Sequence, residues 1–438
     1  MSGTQRLPAR VDVAVLGAGL AGLQCARELV GAGLDVVVLD PADAVGGRVR
    51  SEHVDGFTVD RGFQLLNPAY PAVRRWVDTS ALGLQPLPAG VAARLDGGTS
   101  RVADPRREPR LLPATVRGAL PLLRGAPAAA RWGRPLLTRD HRGLVGRAAR
   151  TRPDGSLRSA LDAHGVRGDL RRVLDAFLAG VVLDDSGETS DHFALLLTRA
   201  FLDGTPSLPR AGMQALPDQL ARGLGERLHL GRAAVALRSD DAGATVETED
   251  GPVEARVVVV ATSGVAAASL LGDSVLPPPA TRGVVTHWWA LPGDRVDPGP
   301  GLLHVDARSR PTGPLVNTAV VSAAAPSYAP RGQHLVQASA LIGDGREVPD
   351  EATLRRHAAE LLGAGASGWE TVARHEVHDA LPAQPAPLAH RRQQVLGPSL
   401  VVCGDHRDTA SLQGALVSGH RAAGAVRRLV GAPAHGRR

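Results

Sequence analysis

The chain has 438 residues, 43% of them hydrophobic, a length that exceeds one ordinary domain and predicts two or three units around a substantial core. Its 50 basic residues are all arginine and are interspersed with 44 acidic ones, and this mixture, with a net charge of only +6, argues against nucleic-acid binding. We expect a cytoplasmic protein, because no apolar run is long enough to span a bilayer and the first ten residues lack the apolar centre of a signal peptide.

The residue types also exclude some chemistry. Cys25 and Cys403 are the only cysteines, and they lie too far apart in sequence to form a disulfide framework or a metal-ligand motif. We therefore predict no metal site. The absence of lysine excludes any mechanism that needs one, and redox chemistry would have to belong to a bound cofactor.

The first elements in chain order form a βαβ unit. Residues 11–16 are an apolar run of strand length, and residues 36–39 are a second one that ends on Asp40. Between them, three glycines give the pattern G-x-G-x-x-G at the start of a helix: Gly17, Gly19 and Gly22. Such glycines allow a tight turn, close approach to a pyrophosphate and close helix packing. The unit predicts a dinucleotide site with Asp40 on the ribose hydroxyls.

The residues after Asp40 favour FAD over NAD. Gly46, Gly47 and Arg48 form a second glycine turn, which suits a longer ligand lying across the domain. This turn, the first motif and the acid-x-G element at residues 60–62 together resemble the flavin-containing amine oxidase and phytoene desaturase superfamily. The resemblance implies FAD as the cofactor.

The segment at residues 110–137 is apolar, punctuated by arginines and rich in proline. Two interpretations remain open. The first is a basic amphipathic surface that contacts a membrane or frames the entrance for an oily substrate. The second is a set of short core helices with solvated arginines.

The middle of the chain extends the resemblance. Residues 206–224 are similar to the family's P-x-G-G-M segment, with Ala211 in place of its first glycine, which puts the local loop shape in doubt. Two strands around Gly243 and a third at residues 257–261 follow. In the family such strands return the chain to the FAD domain, and the residue aligned with Ala234 binds adenine through its backbone.

Residues 263–396 alternate strand-like runs with proline-rich turns and predict a mixed sheet over the flavin. Trp288 or Trp289 could face the flavin, although core packing is the commoner use of tryptophan. His375 and His378 are three residues apart on a predicted strand, a poor arrangement for two metal ligands, and we expect them to be structural or exposed. No catalytic residue can be assigned.

The last motif consists of a strand at residues 400–403, Gly404 and Asp405, and a helix of small residues. It resembles the family's closing flavin motif, in which the Asp binds the ribityl chain and helix N-terminal amides lie beside the flavin ring. Over the whole chain, the resemblance implies the following cofactor-binding residues: Gly17, Ala18, Gly19, Leu20, Ala21, Gly22, Asp40, Gly46, Gly47, Arg48, Gly62, Phe63, Ala234, Gly404, Asp405 and Leu412.

The predicted fold is α/β, with an FAD-binding Rossmann-like domain of the glutathione reductase type and an interleaved α+β substrate domain. The FAD-binding domain should comprise residues 8–98, 207–262 and 397–430. The substrate domain should comprise residues 99–206, mostly helical, and residues 263–396, a mixed sheet.

The predicted function is an FAD-dependent oxidoreductase that transfers a hydride from a small apolar substrate to flavin N5, nearest to phytoene desaturase and carotenoid isomerase-like enzymes. Amine oxidases of the family generally hold a lysine near flavin N5 and two aromatic residues around the amine, whereas this chain has no lysine and only two tyrosines, Tyr70 and Tyr328. Two alternatives remain: a flavin amine oxidase that produces peroxide, with arginine replacing the lysine, and a non-catalytic flavoprotein in peripheral contact with a membrane. Substrate, electron acceptor and oligomeric state have no signature in the sequence.

Overall fold

The structure is a computed structural model that describes residues 6–137, 152–294, 297–343 and 345–432. Its strands, in chain order, are β1 (Arg10–Leu16), β2 (Val36–Asp40), β3 (Ser51–Val54), β4 (Phe57–Asp60), β5 (Gln85–Pro86), β6 (Gly90–Leu95), β7 (Gly98–Ala103), β8 (Ser207–Leu208), β9 (Leu228–Leu230), β10 (Ala234–Ser239), β11 (Ala244–Thr248), β12 (Gly251–Val260), β13 (Thr281–Pro292), β14 (Leu303–Asp306), β15 (Leu315–Val320), β16 (Gln333–Ile342), β17 (Glu370–Pro382) and β18 (Leu400–Val402).

The α-helices of the described residues are α1 (Leu20–Gly31), α2 (Pro71–Trp76), α3 (Thr79–Leu82), α4 (Leu112–Ala119), α5 (Ala126–Trp132), α6 (Leu157–Ala163), α7 (Gly168–Val182), α8 (Asp191–Asp203), α9 (Ala215–Ala221), α10 (Gly264–Leu271), α11 (Val321–Ala324), α12 (Glu351–Leu362) and α13 (Leu412–Leu429). Among these residues, no helix combines the length and the apolar character needed to cross a membrane.

The first sheet contains the strands of both terminal motifs. At its centre β2, β1, β12 and β18 run parallel, with Val13 paired to Val36 on one side and to Val257 on the other, and with Val259 paired to Val401. These strands are buried apolar runs, as expected for parallel strands covered on both faces. β9 lies beside β2, while β11 and β10 extend the sheet antiparallel from the first half of β12.

Three distant stretches of the chain therefore build one sheet, namely residues 10–40, 228–260 and 400–402. Helices α1 and α13 pack together on one of its faces. The packing is close, because a Cβ added to Gly419 of α13 would lie 2.2 Å from the Ala21 carbonyl oxygen of α1. The small residues predicted for the helix of the last motif permit this close approach.

The second sheet is mixed and has the order β17-β13-β16-β15-β14-β6-β7. One face of β16 packs against α12, where Val336 and Ala338 join Leu354 in an apolar cluster. The other face points toward the first sheet, and Leu335 and Trp288 there belong to the large core cluster that includes β1 and α1. One surface of the second sheet thus faces the carboxyl ends of the parallel strands in the first sheet.

The boundary at residue 98 differs from the prediction. The sequence placed residues 8–98 in the FAD-binding domain, but β6 and β7 lie in the second sheet, where β6 pairs in parallel with β14 and Val91 is opposite Leu303. A short apolar strand has no local feature that identifies a distant partner, so its sheet could not be read from its own residues. The other predicted domain boundaries remain predictions.

Candidate functional site

The first glycine turn lies at the carboxyl end of β1. Gly17 has a φ of 112° and donates its N–H to the Leu39 carbonyl oxygen at 2.7 Å. A Cβ added to Gly22 would lie 1.9 Å from the Gly17 carbonyl oxygen, whereas one added to Gly19 would meet no atom within 4 Å. Gly22 is therefore required by the packing of α1, and Gly19 leaves open space at the helix N-terminus, where a phosphate group fits.

The carboxylate of Asp40 closes this turn from the end of β2. It accepts a hydrogen bond from the N–H of Ala18 at 2.6 Å and another from the N–H of Ala42 at 2.8 Å. The N–H of Arg232 donates to the Asp40 carbonyl oxygen at 2.9 Å, two residues before Ala234 begins β10. The predicted ribose and adenine residues consequently lie at the same edge as the first glycine turn.

The second glycine turn packs directly against the first. The N–H of Gly46 donates to the Ala18 carbonyl oxygen at 2.8 Å, and a Cβ on Gly47 would approach the Gly19 Cα to 3.5 Å. Gly46 and Gly47 have φ values of 117° and 60°, which glycine adopts without steric cost. The two turns, together with Leu20 and Ala21 in the first turn of α1, form one continuous backbone surface.

Arg48 joins the N-terminal and C-terminal motifs. Its Nη2 forms an ion pair with Asp405 Oδ1 at 2.7 Å, and its Nη1 donates to the Ala380 carbonyl oxygen at 2.6 Å. Burial opposes the charge on Arg48, but the attraction of Asp405 outweighs it and raises the pKa of the guanidinium above its usual value. The predicted phosphate-side and ribityl-side residues are thus in direct contact.

The start of α13 lies next to this ion pair. Gly404 follows β18 with a φ of 148° and donates its N–H to Ser418 Oγ at 3.0 Å. Ser411 caps the helix by accepting a hydrogen bond from the N–H of Gly414 at 3.0 Å. Leu412, the last of the predicted residues, is the first residue of the helix.

Gly62 and Phe63 mark the border between the two sheets. A Cβ on Gly62 would again meet no atom within 4 Å. The ring of Phe63 packs edge to face against Trp288, with 6.5 Å between centroids, and Trp288 Nε1 donates to the Asp60 carbonyl oxygen at 3.1 Å. Trp288 is thus the tryptophan on the side of the predicted flavin, whereas Trp289 points toward α12 and donates to Glu351.

Asp60 is a buried carboxyl group that organises this border. Its Oδ1 accepts hydrogen bonds from Ser51 Oγ at 2.5 Å and from the N–H of Met213 at 2.9 Å, and its Oδ2 accepts one from the Tyr328 hydroxyl at 3.0 Å. Burial raises the pKa of Asp60 to about 6, although all three donors act in the opposite direction. Tyr328 is therefore committed to Asp60.

A row of polar side chains crosses the surface of the second sheet that carries Trp288. Thr286 is opposite His375 on β17 and opposite Ser339 on β16, and Ser339 is opposite Asn317 on β15. Residues opposite each other in antiparallel strands share a face, and Thr286 shares a face with Trp288, two residues along β13. We call His375, Thr286, Ser339 and Asn317 the polar row.

Thr286, Ser339 and Asn317 of the polar row are buried and belong to one hydrogen-bond network. Thr286 Oγ1 lies 2.9 Å from Ser339 Oγ, which donates to Gln337 Oε1 at 3.3 Å, and Gln337 Nε2 donates to Asn317 Oδ1 at 3.1 Å. Helix α7 covers the far end, because a Cβ on Gly180 would lie 2.6 Å from Asn317 Nδ2. Except for His375, the members of the row are uncharged at any pH near neutrality.

His375 lies at the other end of the row, on the edge strand β17, and the sequence predicted only a structural or exposed role for it. Its Nε2 lies 3.4 Å from Glu52 Oε2, and Glu52 Oε1 accepts from Arg61 Nε at 2.7 Å. The hydrogen bond from Arg61 is the largest influence that lowers the pKa of Glu52, so the carboxylate beside His375 stays ionised. His375 Nδ1 is buried and has no hydrogen-bond partner among the described residues.

His406 is a second side chain that the sequence did not single out. It follows Asp405, is buried, and neither ring nitrogen has a hydrogen-bond partner among the described residues. Burial lowers its pKa to about 4 and keeps the imidazole neutral, with one donor and one acceptor to satisfy. A polar cofactor at this edge would supply those partners. The adjacent G-D pair was the only sequence signal that could have drawn attention to it.

The predicted residues thus meet at one edge of the first sheet, and their surroundings fit FAD. Open space lies beside Gly19 in the first glycine turn and beside Gly62 at the border with the second sheet, and the nitrogens of His406 have no partner among the described residues. Within the described ranges, no cluster of three or more His, Cys, Asp and Glu side chains could hold a metal ion.

Comparison with known proteins gives an independent assignment. The profile of the family "Flavin containing amine oxidoreductase" matches residues 20–427. A flavin-containing monoamine oxidase named AofH, from Mycobacterium tuberculosis, is 27% identical over 314 residues, which is 64% of this chain and 63% of that protein. The aligned part therefore spans less than two thirds of that relative.

A 15-cis-phytoene desaturase from Narcissus pseudonarcissus is 29% identical over 127 residues, 26% of this chain and 20% of that protein. Among solved structures, an oxidoreductase from Methanosarcina mazei superposes with a TM-score of 0.70 at 17% identity, covering 94% of this chain and 99% of the other. At that identity the likeness concerns the fold alone.

Proposed function

Because the chain belongs to the flavin containing amine oxidoreductase family, with FAD as its cofactor, we propose that it oxidises an apolar substrate by removing a hydride from carbon. The proposed activity is nearest to that of phytoene desaturases and carotenoid isomerase-like enzymes. Bound FAD supplies the hydride acceptor at N5. The protein supplies the position of the substrate, a water-poor cavity and an acceptor for the proton.

We assign the cofactor contacts from one end of the sheet edge to the other. The glycine turns at residues 17–22 and 46–48 would hold the pyrophosphate, with Asp40 on the ribose and the backbone of Ala234 on adenine. Asp405, oriented by Arg48, would accept a hydrogen bond from a ribityl hydroxyl. Gly62, Phe63 and Leu412 would lie beside the isoalloxazine ring, close to Trp288.

The three uncharged members of the polar row are the observation that favours an apolar substrate. Thr286, Ser339 and Asn317 satisfy one another or Gln337, and none of them offers a negative charge to an ammonium group. The nearby carboxyl of Asp60 already accepts three hydrogen bonds. Tyr328 donates to Asp60, so it is held away from an aromatic pair around an amine. A substrate with no strong polar demand fits such a surface best.

Removal of two hydrogens from adjacent carbons, or from carbon and nitrogen, releases a proton in addition to the hydride. We propose that His375 accepts this proton at Nδ1, the nitrogen without a partner. The Glu52 carboxylate, held by Arg61, would stabilise the imidazolium that forms. The C–H electron pair leaves with the hydride, and the electrons of the second C–H bond form the new double bond.

The experiment is a product analysis with the purified, FAD-loaded protein. Incubation with polyenes of the phytoene type and an electron acceptor should yield a product with one more double bond, or an isomer. The absence of any new product across the polyene panel, in protein that retains its FAD, would reject the apolar-substrate proposal. Since apolar polyenes reside in membranes, we also propose peripheral membrane contact, as a claim separate from the reaction.

Amine oxidation is the second candidate function, because AofH is named as a monoamine oxidase. Arginine would then have to replace the lysine that the family's amine oxidases generally hold near flavin N5. Peroxide release on addition of monoamines or polyamines is the discriminating measurement. Release with an amine and no conversion of polyenes would replace the first proposal by the second.

A further inference from the structure

A stripe of exposed apolar side chains runs along the outside of the helical segment around α4. Leu112, Val116, Leu120 and Leu123 are each between 47% and 62% exposed. Their spacings of four, four and three residues place them on one helical face. We call these four residues the apolar stripe. Exposed apolar clusters of this kind mark interaction sites on soluble domains.

The opposite side of the same segment is fixed to the protein, so the stripe is not a core face left uncovered by loose packing. A Cβ on Gly118 would lie 2.4 Å from the Arg101 carbonyl oxygen in β7, and one on Gly125 would lie 2.8 Å from Leu170 Cβ in α7. Leu122 is buried between these contacts. The outward direction of the stripe is therefore set by the packing of the segment.

The charged residues in the segment that carries the apolar stripe are all arginines. Arg110, Arg117 and Arg124 are exposed and recur every seven residues, and residues 109–137 contain no Asp or Glu. Two carboxylates, Asp96 and Asp169, line a cavity of about 550 Å³ beside Arg117, but both form ion pairs with Arg172. The arginines of the segment therefore keep their positive charge available for a partner.

We propose that the apolar stripe and its arginines form a docking surface for an anionic lipid bilayer. The leucines and valine would enter the boundary between headgroups and acyl chains, and Arg110, Arg117 and Arg124 would contact lipid phosphates. A polyanion such as RNA would use the arginines without the leucines, and an apolar protein groove would use the leucines without the arginines. An anionic bilayer would contact both the leucines and the arginines. This surface goes beyond the proposed oxidoreductase function, which it would supply with substrate from the membrane.

The test is co-sedimentation of the FAD-loaded full chain with vesicles. We expect binding to vesicles of phosphatidylcholine with phosphatidylglycerol, weaker binding to phosphatidylcholine alone, and a decrease with added salt. Val116→Asp should weaken binding at least about tenfold, and replacement of the three arginines by glutamine should weaken it by about fivefold per charge. Val235→Asp is the matched control, because Val235 on β10 and Val116 are both 58% exposed.

Three results would overturn the proposal. The first is wild-type protein that does not sediment with anionic vesicles, and the second is Val116→Asp protein that binds as tightly as wild type. The third is loss of binding in the arginine variants together with full binding of Leu120→Asp, because that combination indicates adsorption by charge alone. Unchanged FAD absorbance in each variant separates these results from unfolding. Because no turnover is measured, failure of the docking surface and failure of the proposed reaction are distinguishable.

Discussion

The carboxyl edge of the first sheet and the facing surface of the second sheet meet where Phe63 packs against Trp288, yet they are made of different parts of the chain. The first is a backbone surface, in which a single added methyl group at Gly22 or Gly46 would come within 1.9 or 2.2 Å of a carbonyl oxygen. The second consists of side chains from four strands, and those on β13, β15 and β16 are joined by hydrogen bonds of 2.9 to 3.3 Å. Under the proposed function, cofactor placement would therefore depend on backbone geometry, and substrate choice would depend on side chains that can change without altering the fold.

The largest effect should come from the side-chain surface. His375→Gln is expected to slow reduction of the flavin by substrate by about 10²- to 10⁴-fold, the usual contribution of a positioned base, with substrate affinity nearly unchanged. His378→Gln, on the same strand but with its side chain 67% exposed, should react like wild type. Stopped-flow reduction under anaerobic conditions measures both quantities. Equal rates in the two variants would remove His375 from the reaction.

The backbone surface should respond with a loss of stability. Gly22→Ala forces a Cβ against the Gly17 carbonyl oxygen, and the free energy of unfolding should fall by about 3 kcal/mol or more. Gly424→Ala is the control, since this helical glycine has room for a methyl group and should gain up to about 1 kcal/mol. Urea unfolding of the apoprotein measures both. A Gly22→Ala protein as stable as wild type would contradict the close packing of α1.

The stability contributed by Asp60, at the border between the two surfaces, should depend on pH. The pKa of Asp60 rises from 3.8 to about 6 on folding, so from about pH 4 to about pH 6 the native state keeps a proton that the unfolded state has released. This proton on Asp60 stabilises the native state fully below that window. The stabilisation, on the order of 3 kcal/mol, is lost as the pH rises through the window. Wild type and Asp60→Asn should therefore differ in the pH dependence of their unfolding free energy. Parallel curves would argue against a buried, protonatable Asp60.

Gly19→Ala should produce the smallest effect and separates cofactor binding from folding. The backbone at Gly19 is extended, with a φ of −73°, and an added Cβ meets open space. The stability of the apoprotein should change by no more than about 0.5 kcal/mol. FAD affinity should fall by about tenfold or more, because the methyl group enters the space proposed for the pyrophosphate. Fluorescence titration of the apoprotein with FAD provides the test, and an unchanged affinity would move the phosphate site elsewhere.

Much of the first sheet could be predicted from the sequence because its motifs are local. The turn at Gly17, the end of β2 at Asp40 and the turn at Gly404 each lie within a few residues of the strand that positions them. The contact between Arg48 and Asp405, across 357 positions of the chain, could be expected only from the family resemblance. The residues of one strand do not identify the distant strand with which it pairs.

The polar row could not be predicted for the same reason. Thr286, Ser339, Asn317 and His375 lie on four different strands, and only the register of those strands makes them neighbours. A period of two along β13 separates Thr286 and Trp288 from His287 and Trp289, but it does not indicate which set faces the cofactor. The strand pairing of β6 with β14 was missed because it, too, depends on partners far away in the chain.

The most direct test of the central claim is anaerobic mixing of the yellow, FAD-loaded protein with two substrate panels. We expect apolar polyenes to bleach the flavin absorbance and the colour to return when an electron acceptor is added, while amines leave the spectrum unchanged. Bleaching by an amine with no response to any polyene would contradict the account and would assign the protein to the amine oxidases of its family.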